Sequence, residues 1–398
     1  MRKKLVFIFL LSIIFGQDLN QVSLEIRDSN QASWWSKKNN NGLNPSKSYF
    51  SFSINKKFDK YDFSVSSYIN KEEIILGESF INIEFLQNYN LKLGRFYRDF
   101  SSYLNDELST GSMLISKNAL PIPKIGFLGV SKLGNKNIKL DYGIAHGVLD
   151  KNNTYKSSPY LHEKFFYLKR DGKNEFGIGL VHEAVWAGST KNNGDFPNTF
   201  KDFMKVFISG DGRQKDGQIH ANALGNHLGI WDFYIIKKNQ NNNLKFYYQH
   251  FFEDTSGLRF ANRTDGLWGF EFTDLRYKID YLIEYLNTSN QDRDPPYVND
   301  SYYNHTEYSL GWSYRGNVIG NPFINNLIPN PSQVIHFGIQ SFNEQVIQYK
   351  LLLSRQIDTK DSLKYSIQIG KKYDNLLIAI FLNGEVDKNL GFKLSYNL

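Results

Sequence analysis

The sequence predicts an all-β chain closed into a transmembrane antiparallel β-barrel of about 18 strands, with a small helical or plug element. Three observations predict it. Apolar residues recur at every second position through many short segments. Aromatic residues make up 16% of the chain, with 31 Phe and 25 Tyr, although the mean hydropathy is negative; girdles at two membrane interfaces use such residues, whereas a soluble core does not require so many. The connections divide into tight turns and long polar loops, as in outer-membrane barrels.

The amino terminus reads as an export signal. Arg2, Lys3 and Lys4 precede an apolar run from Leu5 to Phe15, and Gly16 is followed by polar Gln17 and Asp18. At about 11 residues the run falls well short of the ~20 of a spanning helix. Residues 1–16 are therefore expected to be a signal peptide, and 17–398 a single barrel domain. Cleavage removes three cations, so the formal +7 falls to about +4. With no stripe of Lys or Arg, this mild charge does not suggest nucleic-acid binding. No later apolar run is long enough for a membrane helix. The chain also lacks cysteine, so hydrogen-bonded strands must hold it without disulfides.

Taken in order, Phe50, Phe52 and Ile54 alternate with Ser51, Ser53 and Asn55. Tyr61, Phe63 and Val65 do so with Asp62, Ser64 and Ser66. Near the end, Tyr365, Ile367 and Ile369 alternate with Ser366, Gln368 and Gly370, and Leu390, Phe392, Leu394 and Tyr396 with Gly391, Lys393 and Ser395. A lipid-facing sheet must close, because an open edge leaves backbone groups unpaired in hydrocarbon. Tight links occur at 170–173, which contains Asp171-Gly172, at 239–243 and at 273–275. Long links run over 186–205, 209–228, 253–267, 287–305 and 316–333; beyond Phe342 all are short. The stretch 99–124 holds Gly111, Pro121 and Pro123 without alternation, and reads as a plug or periplasmic helical element. Phe200, Phe203, Met204 and Phe207 follow helical spacing behind Pro197 and Asn198, which predicts a short amphipathic helix over 197–208 on the long-loop side.

Catalytic and metal motifs are weak. His182-Glu183 lacks a second histidine at helical spacing, since Trp186 stands there. Glu253-Asp254 are adjacent, and neighbours on a strand face opposite ways, so they make a poor acid/base pair. No clean Ser-His pair suggests lipid hydrolysis. The tryptophans are more informative: Trp186, Trp231, Trp268 and Trp312 lie in aromatic and polar clusters. Indoles stack on sugar rings, and they also anchor barrels at the headgroup level.

The middle of the chain resembles the capsule assembly Wzi family. The resemblance is carried by Leu108-Ser109-Thr110-Gly111-Ser112, Asn118 to Pro123, His182 to Gly188, Phe200 to Phe207, and Gly225 to Gly229 before Trp231-Asp232. It continues with Tyr248-Gln249-His250, Glu253-Asp254, Ser256-Gly257-Leu258, Asp265 to Gly269, Asn304-His305, Gly311-Trp312 and Ile319 to Pro322. The resemblance implies a non-catalytic, lectin-like outer-membrane barrel of 18 strands with a small helical element toward the periplasm, which helps retain surface polysaccharide. It needs no cofactor or metal. Its expected partners are capsular or extracellular polysaccharide and outer-membrane lipid, with no nucleic acid and a monomeric state. On that basis Trp186, Trp268 and Trp312 are the stacking candidates, and Asp254, Arg259, Arg263 and Asp265, which share one long loop, are the polar glycan-binding candidates. The alternatives are a porin-like channel for small solutes or acidic oligosaccharides, and an outer-membrane hydrolase.

Overall fold

In a computed structural model of the chain, the described residues are 19–28, 37–38, 41–44, 48–134, 137–213, 222–290, 302–328, 330–343, 347–357, 363–384 and 388–397. The expected signal peptide, 1–16, lies outside them. The wall is one closed sheet of 18 strands. These are β1 (Leu19–Arg27), β2 (Ser48–Lys57), β3 (Tyr61–Ile69), β4 (Ile74–Leu86), β5 (Tyr89–Phe96) and β6 (Ile122–Lys132). Next come β7 (Ile138–Val148), β8 (Tyr160–Arg170), β9 (Asn174–Trp186), β10 (Asn226–Lys238), β11 (Asn242–Phe252) and β12 (Gly266–Asp274). The circuit is completed by β13 (Ile279–Asn287), β14 (Gln333–Ser341), β15 (Gln348–Gln356), β16 (Leu363–Tyr373), β17 (Leu376–Gly384) and β18 (Lys388–Asn397).

Each strand pairs antiparallel with its sequence neighbours, and β18 returns to β1 from Gln21↔Asn397 to Arg27↔Gly391. Closure gives every strand two partners, which is what an apolar exterior demands. The alternation then sets the two faces. On β18, Leu390, Phe392 and Tyr396 are exposed outside, whereas Asn389, Gly391 and Ser395 are buried inside. On β16, Ile367 and Ile369 point out, and Ser366 and Gly370 point in.

Both ends of the sheet chain, Leu19 and Asn397, lie at the rim of short turns. The opposite rim carries the long connections. The links expected at 287–305 and 316–333 prove to be one connection, 288–332, because among the described residues no wall strand separates them. Among its described residues it carries only the hairpin Ser313–Tyr314/Asn317–Val318. Similarly, 187–225 is one excursion. It contributes Ser189–Thr190, which pairs with both Gly194–Asp195 and Tyr155–Ser157 in a three-stranded patch, and the helix α1 (Phe200–Phe207). Thr199, not Asn198, caps α1: its hydroxyl accepts from the Asp202 amide, and the Asp202 carboxylate accepts from the Thr199 amide. A second, four-residue helix, α2 (Thr255–Leu258), sits in the loop after β11. Among the described residues, no helix lies at the short-turn rim, so the helical element implied for that side is not seen there.

Candidate functional site

The segment 97–121, between β5 and β6, turns inward from the long-loop rim and fills the lumen with Phe100, Leu104, Leu108, Met113 and Leu114, all buried. It contains no helix. Its backbone and hydroxyl groups cannot reach water, so inward wall side chains must satisfy them. Glu284 on β13 accepts from the hydroxyls of Ser109 and Tyr247, and from the amide and hydroxyl of Thr110 at 2.7 Å. Asp232 on β10 accepts from the hydroxyls of Ser101, Tyr103 and Tyr167. Gln249 on β11 accepts from the Met113 amide at 3.0 Å, and His336 on β14 bonds the Leu108 carbonyl at 2.7 Å.

Two wall glycines make these contacts possible. A Cβ at Gly179 would lie 2.2 Å from the Tyr167 ring, and one at Gly269 would lie 2.0 Å from the Tyr247 ring. Only without a side chain there can each tyrosine lie flat on the sheet and aim its hydroxyl at the plug. Where the plug leaves β5, Lys124 on β6 pairs with Glu163 on β8 at 3.0 Å, with both side chains essentially inaccessible, and also donates to the Tyr97 carbonyl.

The connection 302–324 closes the plug from above. Trp312 donates Nε1–H to the Leu114 carbonyl at 2.8 Å, and the Tyr303 hydroxyl donates to the Met113 carbonyl. Ser116 donates to Gly320 O at 2.7 Å, Asn118 to Val318 O at 2.9 Å, and Asn321 to Gly111 O at 3.0 Å. The mouth is therefore a double-layered, hydrogen-bonded cap over a filled barrel.

The residues singled out from the sequence do not converge on one surface. Trp312 is fully buried under this cap and offers no face to a ligand. Trp186, 5% exposed, lies at the top of β9 on the outer wall, beneath α1 and against Tyr160 and Phe203. Trp268 shares its face of β12 with Phe270 and Phe272, points outward, and stacks on Tyr248 at 3.8 Å between ring centres. Its Nε1–H donates to the Thr264 carbonyl at 3.2 Å.

Asp265 is also buried. It accepts from the Asn290 backbone and side chain and from the Tyr302 hydroxyl at 3.0 Å, joining two loops. Burial raises its carboxyl to about 6, against the opposing effect of those donors. Asp254 accepts from the Gly257 amide at 3.0 Å and shapes the turn. Of the seven, Arg259, Arg263 and Asp254 are exposed on the outer loop. Around the rim the surface is rich in amides and cations, with Lys151, Lys156, Lys191 and Arg315 exposed as well.

One cluster is absent from the sequence reading. His146, His162, His182 and His227 all project from the outer face of β7–β10, near the long-loop rim and beside α1. His182 Nε2 lies 2.9 Å from His227 Nδ1. The signal was available: each has the parity of the outward Ile144, Phe166, Ile178 or Ile235 of its own strand. His182 and Glu183 accordingly face opposite sides of the wall. Among the described residues, no group of three or more His, Asp or Glu is arranged to hold a metal ion.

Comparison with known proteins places this architecture. No curated protein matches the sequence. Among solved structures, the chain is similar to Wzi of Escherichia coli, described as a carbohydrate-binding β-barrel of the outer membrane involved in group 1 capsule assembly. Identity is 12%, covering 99% of this chain and 88% of that one with a TM-score of 0.64. Two porins are more distant. Salmonella typhi OmpF has 9% identity, coverage of 96% and 97%, and a TM-score of 0.41. The Rh. blastica porin has 7% identity, coverage of 96% and 99%, and a TM-score of 0.38. The pattern of the capsule assembly protein Wzi family matches residues 21–327, which span the plug, the α1 excursion and the capping connection. By that match, over well more than half its length, the chain belongs to the Wzi capsule assembly family.

Proposed function

We propose that the chain is a non-catalytic outer-membrane protein that binds surface polysaccharide on its capped mouth and helps hold it at the cell exterior. One observation carries the reading: wall carboxylates and the 302–324 connection fasten the plug from below and above, so the functional surface is the cap and not a passage. The exposed face is a field of Arg, Lys and amide groups, including Arg259 and Arg263, suited to hydroxyl-rich and anionic sugars. Each contact is weak there, and a repeating glycan supplies avidity.

Purified full-length barrel is tested for binding to isolated surface polysaccharide and, in parallel, for current across a planar bilayer. Saturable glycan binding with negligible conductance is the expected result. Porin-like steps without glycan binding would replace this reading with the channel, and turnover of glycan or lipid would replace it with the hydrolase.

A further inference from the structure

The outer wall beside α1 carries a feature that polysaccharide binding does not use. A trough of about 540 Å³ runs along the exterior of β5–β9, within the size range of small-molecule sites. Its lower part is wholly apolar, walled by Leu91, Phe127 and Ile144. The helix forms its outer side with Phe200 and Phe203. At its upper end stand Trp186 and His162. The Trp186 Nε1–H and both ring nitrogens of His162 are buried with no hydrogen-bond partner among the described residues. Buried polar groups of this kind are rare and call for an acceptor or donor from elsewhere.

The rotation of α1 fits the same picture. At ~100° per residue, Phe203, Val206 and Phe207 face the wall, and Phe200, Met204 and Ile208 form an adjoining row. That row is exposed at 78%, 43% and 69%. Lys201 and Lys205 occupy the far side. The exposed row continues the bare apolar belt, which begins just below at Phe166 and Ile178. A second external groove, lined by Phe233, Phe246 and Phe270 among others, lacks these unpartnered polar groups; its Tyr248 hydroxyl is bonded to loop carbonyls.

We propose that the trough between α1 and the wall is a binding site for one membrane lipid. An acyl chain lies against Phe127 and Ile144, and an ester or headgroup oxygen accepts from Trp186 Nε1–H. The inference rests on the outer-membrane reading above. Continuity with the apolar belt and polar donors at one end select an amphiphile over a second protein.

Full-length barrel exchanged through mild detergent is examined by native mass spectrometry. Wild type is expected to retain a lipid adduct. Ile144→Trp, at an outward position that tolerates bulk, is expected to lose it by filling the trough, whereas Ile283→Trp in the other groove keeps it. No adduct in wild type, or equal retention by Ile144→Trp, overturns the proposal. The membrane reading is checked separately. The chain has no cysteine, so Ile380→Cys, outward on β17 and away from the trough, takes a single fluorophore on the wall, and nitroxide-bearing lipids should quench it. Absence of that quenching sinks the membrane reading itself; quenching there with no retained lipid sinks only the site.

Discussion

Removing the Glu284 carboxylate tests whether the wall holds the plug. One carboxylate oxygen serves the hydroxyls of Ser109 and Tyr247, and the other serves the amide and hydroxyl of Thr110. In Glu284→Gln the amide oxygen can stay with Thr110, and the amide NH2 can donate to the two rotatable hydroxyls, so the main loss is charge assistance. That loss is about 1–3 kcal/mol. Glu284→Ala strands every donor in a site where the carboxyl was 1% exposed. At about 1 kcal/mol per donor, the lower bound for unsatisfied groups, the cost is about 4 kcal/mol, and entering water keeps it near that bound.

Against a total stability of roughly 5–15 kcal/mol this is enough to free the plug locally. The β12–β13–β14 ladder is untouched by either change, so the barrel should persist. The assay pairs urea unfolding followed by tryptophan fluorescence with planar-bilayer current. Glu284→Ala should show a lower unfolding midpoint and new current with sheet circular dichroism retained, and Glu284→Gln a smaller shift and little current. If both variants match wild type within about 0.5 kcal/mol, the scatter of neutral surface changes, and stay non-conducting, then wall carboxylates do not secure the plug.

Lys124→Met leaves Glu163 buried without its cation, opposite Glu183 in register; it should cost about 3–5 kcal/mol in equilibrium unfolding, and adding Glu163→Gln should recover most of that. Asp265 holds its proton up to about 6 when folded, against 3.8 as the ordinary value. The folded state therefore binds more protons between those values, and its contribution is full below 3.8 and lost as pH rises through 6. Amide exchange around Asn290 and Tyr302 should accelerate over that window, and Asp265→Asn should flatten the profile. Trp268→Ala removes an outward stack on Tyr248, so it should lower stability by about 0.5–1.5 kcal/mol and leave glycan binding intact. By contrast, Arg259→Ala with Arg263→Ala should weaken binding of an anionic glycan and reduce its salt dependence; loss of glycan binding in Trp268→Ala alone would reverse this assignment.

The wall was legible because a barrel strand writes its two faces into the sequence at a period of two. Ile367 and Ile369 against Ser366 and Gly370 are unambiguous, since one face must suit lipid and the other the lumen. The turns at 171–173 and 239–241 were legible from Asp-Gly and Asn-rich tetrads. The site was not. A long loop has no period, so nothing in 288–332 distinguishes an aromatic side chain that folds inward from one that faces solvent. Trp312 looks like a sugar platform until Leu114, nearly two hundred positions earlier, supplies its acceptor. Trp268 could have been placed, because it shares parity with Phe270 and Phe272 while Glu271 points in.

The burial of Trp312, Tyr302 and Tyr303 bears on how such a surface binds at all. A glycan contact made by flexible loops loses much of its gain to ordering those loops, about 0.5–1.5 kcal/mol for each long side chain immobilised. Here the aromatic residues of the longest connection act as anchors beneath the surface. Asp265 and Asn262 tie the neighbouring loop to Tyr302, which locks the two connections together before any ligand arrives. The cap is thus ordered in advance by the plug, and the plug by the wall. If Arg259 and Arg263 contact glycan as proposed, such weak contacts add along a polymer without a fresh ordering cost at each one. This makes a distinguishing demand: loosening the buried anchors, as in Trp312→Phe, should weaken glycan binding although the side chain touches no sugar. Amide exchange across 302–324 should accelerate in Trp312→Phe together with the loss of affinity, and weakened binding with unchanged exchange would sink this ordering argument.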